Sequence, residues 1–236
     1  MVSVEQPNVA FAGLTAAGKT THARLLAHEL GYAYVSATEV LLDILGIDAS
    51  GDGLWFDRFE QISAARAGDG VDEELDARLA GLAATSRGTV FDTWALAWVS
   101  PTPMVRVWIE SDEESRARKC LVSQQEARLD LSACRALVHA KDAEARAGFL
   151  RRHHFDLFTD RDRYDLVLTN SHLIPHADRN CADRGIVAFA PVVHDAVTAL
   201  LAHRREPELT RVVARHPREI TAIRPWTAVH RDHQVR

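Results

Sequence analysis

The sequence predicts an α/β fold of three layers, αβα, with a five-stranded parallel sheet between two layers of helix. Three observations carry this. Short apolar runs alternate with amphipathic stretches along the chain, the order in which each crossover is a helix and successive strands run parallel. The runs are apolar at consecutive positions rather than at every second one, as strands buried on both faces require. The first run also opens directly onto a glycine-rich loop, Gly13-Leu14-Thr15-Ala16-Ala17-Gly18-Lys19-Thr20-Thr21, which leads into a helical pattern.

Val9-Ala10-Phe11-Ala12 is the first strand. After the loop, Ala23, Leu26, Ala27 and Leu30 recur at helical spacing, and Gly31 supplies the stop. Tyr32-Ala33-Tyr34-Val35 reads as the second strand, and Ser36 followed by Glu39 is a capping box that starts the next helix. Residues 44–70 are helical in parts, broken by Gly46, Gly51 and Gly53, with Trp55, Phe56 and Phe59 as packing residues. This stretch is expected to form the acceptor side of a site. Val71, Leu75, Leu79 and Leu82 mark one face of a further helix. Thr89-Val90-Phe91 is the third strand, ending in Asp92, and residues 104–109 are the fourth. Ser111-Asp112-Glu113-Glu114 is a second capping box at the head of an Arg-rich helix. Residues 165–168 form the fifth strand, and 191–201 the last helix. Residues 1–202 therefore read as one domain, with an acceptor-side helical region at about 37–86 and a lid at about 132–163. Residues 203–236, with eight Arg against four acidic side chains, read as a basic C-terminal extension, either solvated or loosely packed, or else lying over the acidic body or carrying a partner contact.

A net charge of −5 and a pI near 6.2 give no global basic field, so neither nucleic acid nor an anionic membrane surface is an expected partner, and a small molecule is. Cys120, Cys134 and Cys181 are odd in number and lack C-x-x-C spacing, against both a disulfide framework and a zinc site. A reducing compartment follows. Residues 1–7 hold Glu5 and Gln6 and no apolar core of a leader, and no run of about 18 apolar residues occurs anywhere. The expectation is a cytoplasmic chain, monomeric or homodimeric, that does not span a membrane.

The spacing G-x-x-x-x-G-K-[ST] arises by chance in a chain of this length on the order of one time in a hundred. Its position between strand and helix makes a phosphate-binding loop the expected structure. Gly13 and Gly18 let the backbone curl so that the amides of Thr15, Ala16, Ala17 and Gly18 face phosphate oxygens, at the positive end of a helix. Lys19 is expected to bridge the β- and γ-phosphates of ATP, and the Thr20 hydroxyl, beside Thr21, to hold Mg²⁺. Asp92, at the carboxyl edge of an apolar strand, is expected to hold Mg²⁺ through water or to accept a proton from an attacking hydroxyl. An Asp capping the following helix would occupy the same position. Phosphoryl transfer also needs fixed positive charge around the moving group. Lys141, Arg146, Arg151 and Arg152 are candidates on a closing lid, against the plainer reading of a solvated helix face. His153 and His154 read as surface. Trp94, Trp98 and Trp108 line an acceptor pocket or simply pack.

The residues of the loop, together with Tyr34-Val35-Ser36-Ala37-Thr38-Glu39, Val71-Asp72 with Asp76, the strand ending in Asp92, Lys141-Asp142 with Asp156, and residues 164–171, resemble the nucleoside monophosphate kinases of the P-loop NTPase fold. The likeness is greatest to the archaeal-type cytidylate kinases and covers roughly residues 8–171. It implies a lid and an acceptor-binding helical region, with Arg116 and Lys119 at the donor nucleotide and Ser36, Glu39, Leu42, Arg58 and Trp94 around the acceptor. Three arginines that grip an acceptor phosphate in that family are matched here by Leu42, Trp94 and Gly148, although Arg146 and Arg151, or Arg58 and Arg66, lie near enough to substitute. Leu or Trp in place of a guanidinium removes the fork that fits a phosphate dianion. The expected function is therefore transfer of the γ-phosphoryl group of Mg-ATP to a hydroxyl of a nucleoside, sugar or similar small acceptor. The alternatives are a CMP-type nucleoside monophosphate kinase and a non-catalytic ATP-binding regulator.

Overall fold

In the computed structural model, which describes residues 6–48, 59–66, 69–124 and 129–226, the five expected strands run parallel. They are β1 (Asn8–Gly13), β2 (Ala33–Ser36), β3 (Thr89–Asp92), β4 (Met104–Glu110) and β5 (Leu166–Thr169). A sixth, β6 (Ile220–Ile223), pairs antiparallel with β5 and completes the order β2-β3-β1-β4-β5-β6. β1 thus lies between strands from both directions, so the loop after it opens onto a crevice bordered by two sets of connections.

Alternation along β1 sorts its side chains to two cores. Val9 and Phe11 face a layer made by Ala23, Leu26 and Ala27 of α1 (Lys19–Leu30) and by Phe189, Val193 and Val197 of α8 (Arg179–Leu201). Ala10 and Ala12 face the other layer, where Leu79 of α4 (Asp69–Thr85), Leu96 of α5 (Leu96–Val99) and Phe149 of α7 (Leu131–His153) join Trp108 and Tyr164. Burial on both faces is why these strands read as continuous apolar runs. Of the face expected on α4, Leu79 is buried, whereas Leu82 is 41% exposed. Between β2 and α4 lie α2 (Ala37–Ile44) and α3 (Phe59–Ala65). Gly51, Gly53, Trp55, Phe56 and Arg58 fall outside the described residues.

Three expectations are corrected. The capping box placed at Ser111 starts one residue later: Asp112 caps α6 (Glu113–Ser123), its Oδ1 accepting from the Ser115 amide at 2.6 Å, which frees Ser111 for another task described below. The last helix of the domain begins at Arg179, not at 191, with Asp178 as its cap. Pro191, which reads as a helix start, sits inside it. Although α8 is apolar and long enough to cross a membrane by composition, Phe189, Val192, Val193, Ala196 and Val197 are all buried in the sheet-facing core.

The third correction concerns the tail. Residues set apart as a basic extension instead contribute α9 (Glu206–Arg215) and β6. Leu209, Val212, Ile220 and Trp226 are buried in the larger core, and the Trp226 indole N–H donates to the Met104 carbonyl at 2.9 Å. Charge counting missed this because Arg211 and Arg215 lie on the exposed face of α9, and Arg204, Arg205 and Arg218 are exposed outside it, while single apolar residues at helical spacing turn inward. Residues 227–236 lie outside the described residues.

Candidate active site

The loop from Gly13 to Thr21 is built as a backbone cradle. A Cβ on Gly13 would stand 2.6 Å from the Ile109 carbonyl oxygen, so the residue that lets β1 pass this close to β4 has no side chain. Ala16 and Gly18 take left-handed conformations at φ 58° and 96°. Of the four amides expected to face phosphate, that of Thr15 donates instead to Asp142 and that of Ala17 to the Leu14 carbonyl at 3.1 Å, so the cradle rests on Ala16, Gly18 and the head of α1, whose first-turn N–H groups have no intrahelical acceptors. Inside the cradle the Thr15 hydroxyl is buried and has no hydrogen-bond partner. The Lys19 ammonium donates to the Gly13 and Leu14 carbonyls at 2.8 and 2.9 Å and sits 4.9 Å from the centre of the Trp94 ring. Burial lowers its pKa to about 8, against the opposing pull of Asp92 and Asp142.

A second ring of charges holds the cradle. Asp142 of α7 accepts from the Thr15 amide at 2.9 Å through Oδ1, and Oδ2 takes the Arg116 guanidinium of α6. Arg116 donates in turn to the Thr15 and Ser111 carbonyls at 3.2 and 3.0 Å. Both backbone polar groups of Thr15, its N–H and its carbonyl, are therefore clamped by one buried ion pair. Lys119 donates to the Ser111 hydroxyl at 2.8 Å and to Asn170 Oδ1 at 2.5 Å, and Asn170 Nδ2 donates to the Ala17 carbonyl at 2.9 Å. Burial lowers Lys119 and Lys141 to about 7 each.

Asp92 ends β3 beside the first turn of α1. Its Oδ2 accepts from the Thr20 hydroxyl at 2.5 Å and from the Tyr34 hydroxyl at 3.2 Å. The capping alternative fails, because α5 has Ala95 at its N-cap and no side-chain cap. Two hard oxygens, Thr20 Oγ1 and Asp92 Oδ2, thus converge at the edge of the cradle. Among the described residues no group of three or more His, Cys, Asp or Glu converges on a metal position.

A cavity of about 740 Å³ runs along the carboxyl edge of the sheet, lined by Thr15, Ala16, Gly18, Lys19, Thr20 and Thr21 at its centre. To one side the walls are Lys119, Asn170, Ile174 and the first half of α8. To the other they come from α2, α3, α4, Asp92, Trp94 and α7, including Lys141, Arg151 and Arg152. On this second side several charges engage one another. Arg66 Nε donates to Asp72 Oδ1 at 2.9 Å and Arg152 Nη1 to Asp72 Oδ2 at 2.6 Å. His153 Nε2 lies 2.8 Å from Asp76, whose pKa burial raises. Trp94 stacks on Phe149 with centroids 6.2 Å apart.

Other residues expected at the site lie elsewhere. Gly13 and Ala17 shape the loop from beneath. Arg116, 4% exposed, supports the loop without lining the cavity. Leu42 packs with Leu41 and Ile62, and it is Leu41 that reaches the cavity. Ser36 caps α2, accepting from the Glu39 amide. The Glu39 carboxylate pairs with Arg24 in solvent. Arg146 pairs with Asp156 at 2.7 Å and covers Phe158, away from the cavity. Arg58 lies outside the described residues. Several participants carried no assigned role in the sequence: Asp142 under the loop, Tyr34 on Asp92, Asp72 and Asp76 on the far wall, and the first half of α8. The carboxylates were visible only as parts of the family likeness, and Pro191 concealed the helix.

The lowered lysines give a pH signature. Bound phosphate favours their protonated forms, whereas in the free protein Lys119 and Lys141 lose protons near pH 7 and Lys19 near pH 8. Nucleotide binding is expected to take up protons between about pH 7 and 8 and to weaken as pH rises through that window. Calorimetric titration in two buffers of different ionisation heat reads the uptake. Affinity that stays flat across the window would separate these lysines from the phosphates.

Comparison with known proteins agrees with this geometry. The sequence model of the cytidylate kinase-like family matches residues 8–172, a span holding the loop and all five parallel strands. A cytidylate kinase of Natronomonas pharaonis is 23% identical over 184 residues, 78% of this chain and 91% of that protein. Among solved structures, an uncharacterised protein from Eubacterium ventriosum superposes with a TM-score of 0.51 at 13% identity, over 79% of this chain and 99% of that one. A shikimate kinase from Bacteroides thetaiotaomicron superposes with a TM-score of 0.48 at 13% identity, over 79% and 98%. At such identity the structural likeness bears on fold alone. With β1 to β5 and the loop inside the matched span, the chain belongs to the cytidylate kinase-like family and is a P-loop kinase of small molecules.

Proposed function

We propose that this kinase transfers the γ-phosphoryl group of Mg-ATP to a hydroxyl group of a small, unphosphorylated acceptor such as a nucleoside or sugar. The observation that carries the choice of acceptor is the commitment of Arg66 and Arg152 to Asp72. A phosphate dianion seeking those guanidinium groups competes with Asp72, whose side chain is only 13% exposed and which holds both. Drawing both away leaves a largely buried charge uncompensated. A neutral hydroxyl compound makes no such demand.

The residues fit the donor. The unpartnered Thr15 hydroxyl and the curled amides suit phosphate oxygens. Thr20 and Asp92 suit a Mg²⁺ ion that completes its shell with water and phosphate oxygens. When bound, that ion supplies Lewis-acid stabilisation of the phosphate charge. Lys19 neutralises charge at the transferring group, and Lys141 and Arg151 line the same space. The acceptor oxygen bonds to the γ-phosphorus as the bond to the bridging oxygen breaks, leaving ADP with that electron pair. The acceptor proton passes to Asp92.

A second function, phosphorylation of CMP, has the family and the archaeal relative in its favour. A coupled ADP-release assay over nucleosides, sugars and nucleoside monophosphates separates the two. Turnover with neutral hydroxyl compounds, and little with CMP, is expected. Turnover with monophosphates alone would overturn the proposal.

A further inference from the structure

Resting on that hydroxyl-acceptor function, the geometry points to an acceptor of narrower chemistry: we infer that it is an uncharged alcohol with a flat or ring-shaped apolar face, bound against the indole of Trp94. Trp94 stands two residues beyond Asp92, lines the cavity, and has the Lys19 ammonium 4.9 Å from its ring centre. A molecule in contact with this indole, beside the ammonium that stands over its ring, is therefore next to both the proposed phosphoryl-transfer centre and the carboxylate that receives its proton. The indole is braced from behind by Phe149, stacked at 29° between planes. Leu41, Leu75, Leu79 and Ala95 line the same side of the cavity. Such a wall rewards a ligand that presents an apolar ring face, because aromatic rings bury area in stacked contact at little conformational cost.

The polar part of the wall defines the rest. Asp72 spends both oxygens on Arg66 and Arg152, and Asp76 is engaged by His153. Glu144 accepts from the Ser63 hydroxyl at 2.7 Å. The carboxylates on this side are thereby held by neighbours, Asp72 by two cations, and they offer a neutral ligand hydrogen-bonding edges. An open-chain polyol satisfies the edges but leaves the indole uncovered. A nucleotide covers the indole but sets its dianion in competition with Asp72 for Arg66 and Arg152. A nucleoside, an aryl glycoside or an alicyclic alcohol satisfies both.

The test compares acceptors and variants by steady-state kinetics, using cytidine, phenyl β-glucoside and cyclohexanediol as ring-bearing alcohols, sorbitol as the open-chain control, and CMP as the phosphorylated control. For the wild type, kcat/KM for at least one ring-bearing alcohol is expected to exceed that for sorbitol and for CMP by about tenfold or more. Trp94→Ala is expected to raise the KM for that alcohol about tenfold more than it changes the KM for ATP, and Trp94→Phe to restore most of the loss. Trp94→Arg is expected to shift preference toward CMP, a gain that a misfolded variant cannot produce. If neutral alcohols are phosphorylated but Trp94→Ala leaves their KM unchanged relative to that of ATP, the indole contact is wrong and the hydroxyl-acceptor function stands. If sorbitol matches the ring-bearing alcohols, the ring requirement is likewise wrong. If CMP alone is turned over, both fall. Absence of turnover together with absence of calorimetric binding by all three ring-bearing alcohols, in the presence of a non-hydrolysable ATP analogue, also overturns the inference.

Discussion

Lys19→Ala is expected to lower kcat by more than about 100-fold, because in the proposed mechanism it deletes a buried positive charge at the transferring group. Lys19 is 8% exposed and its ammonium sits on the Gly13 and Leu14 carbonyls. In this position it is held at the loop before any nucleotide arrives, with little reorganisation left for the moment of reaction. Its removal costs the loop two hydrogen bonds, but Asp142 and Arg116 still clamp Thr15 from below. The cradle should therefore survive, and circular dichroism with thermal unfolding provides the control. The decisive measurement is kcat at saturating ATP and acceptor. A folded variant with near wild-type kcat would remove Lys19 from the chemistry and, with it, the assignment of the cradle as the transfer site.

Asp92→Asn comes next in size, with an expected fall in kcat of about 10²- to 10⁴-fold. Asn keeps the volume and one acceptor oxygen, so the Thr20 and Tyr34 hydroxyls retain a partner for the bonds they now make to Oδ2. It has no basic oxygen for the acceptor proton and is a poorer ligand for a hard cation. Measuring kcat across Mg²⁺ concentrations divides these roles. A rate loss that added Mg²⁺ does not recover points to proton transfer, and one that it does recover points to the cation. Activity unchanged at every Mg²⁺ concentration would leave Asp92 with neither.

Features encoded over a few neighbouring residues were legible in the sequence. The turn from β1 into α1 follows from two glycines and a helix start, and Lys19 and Thr20 open α1 directly after it. The position of Asp92 at a strand end followed from a run of four residues. Features that depend on helical phase were less legible. Arg146 and Arg151 looked equivalent in the sequence, yet five residues on a helix is about 140° of rotation. Arg151 consequently lines the cavity while Arg146 pairs with Asp156 on another face. The same phase turns Leu41 inward to the site and Leu42 into a small cluster of its own.

What the sequence determined by itself is the phosphate cradle and the parallel order of its strands, since backbone curvature, helix start and apolar run length are local properties carried by adjacent residues. What only the tertiary structure decided is where each charge is spent. Asp142 reaches Thr15 across 127 positions of chain, Arg116 joins Asp142 across 26, and Arg152 meets Asp72 from another helix. The tail, too, became part of the sheet only through the pairing of β6 with β5. A carboxylate or guanidinium has the same chemistry in any sequence. Whether it faces a substrate or a neighbour depends on distances of a few ångströms that chain folding alone creates.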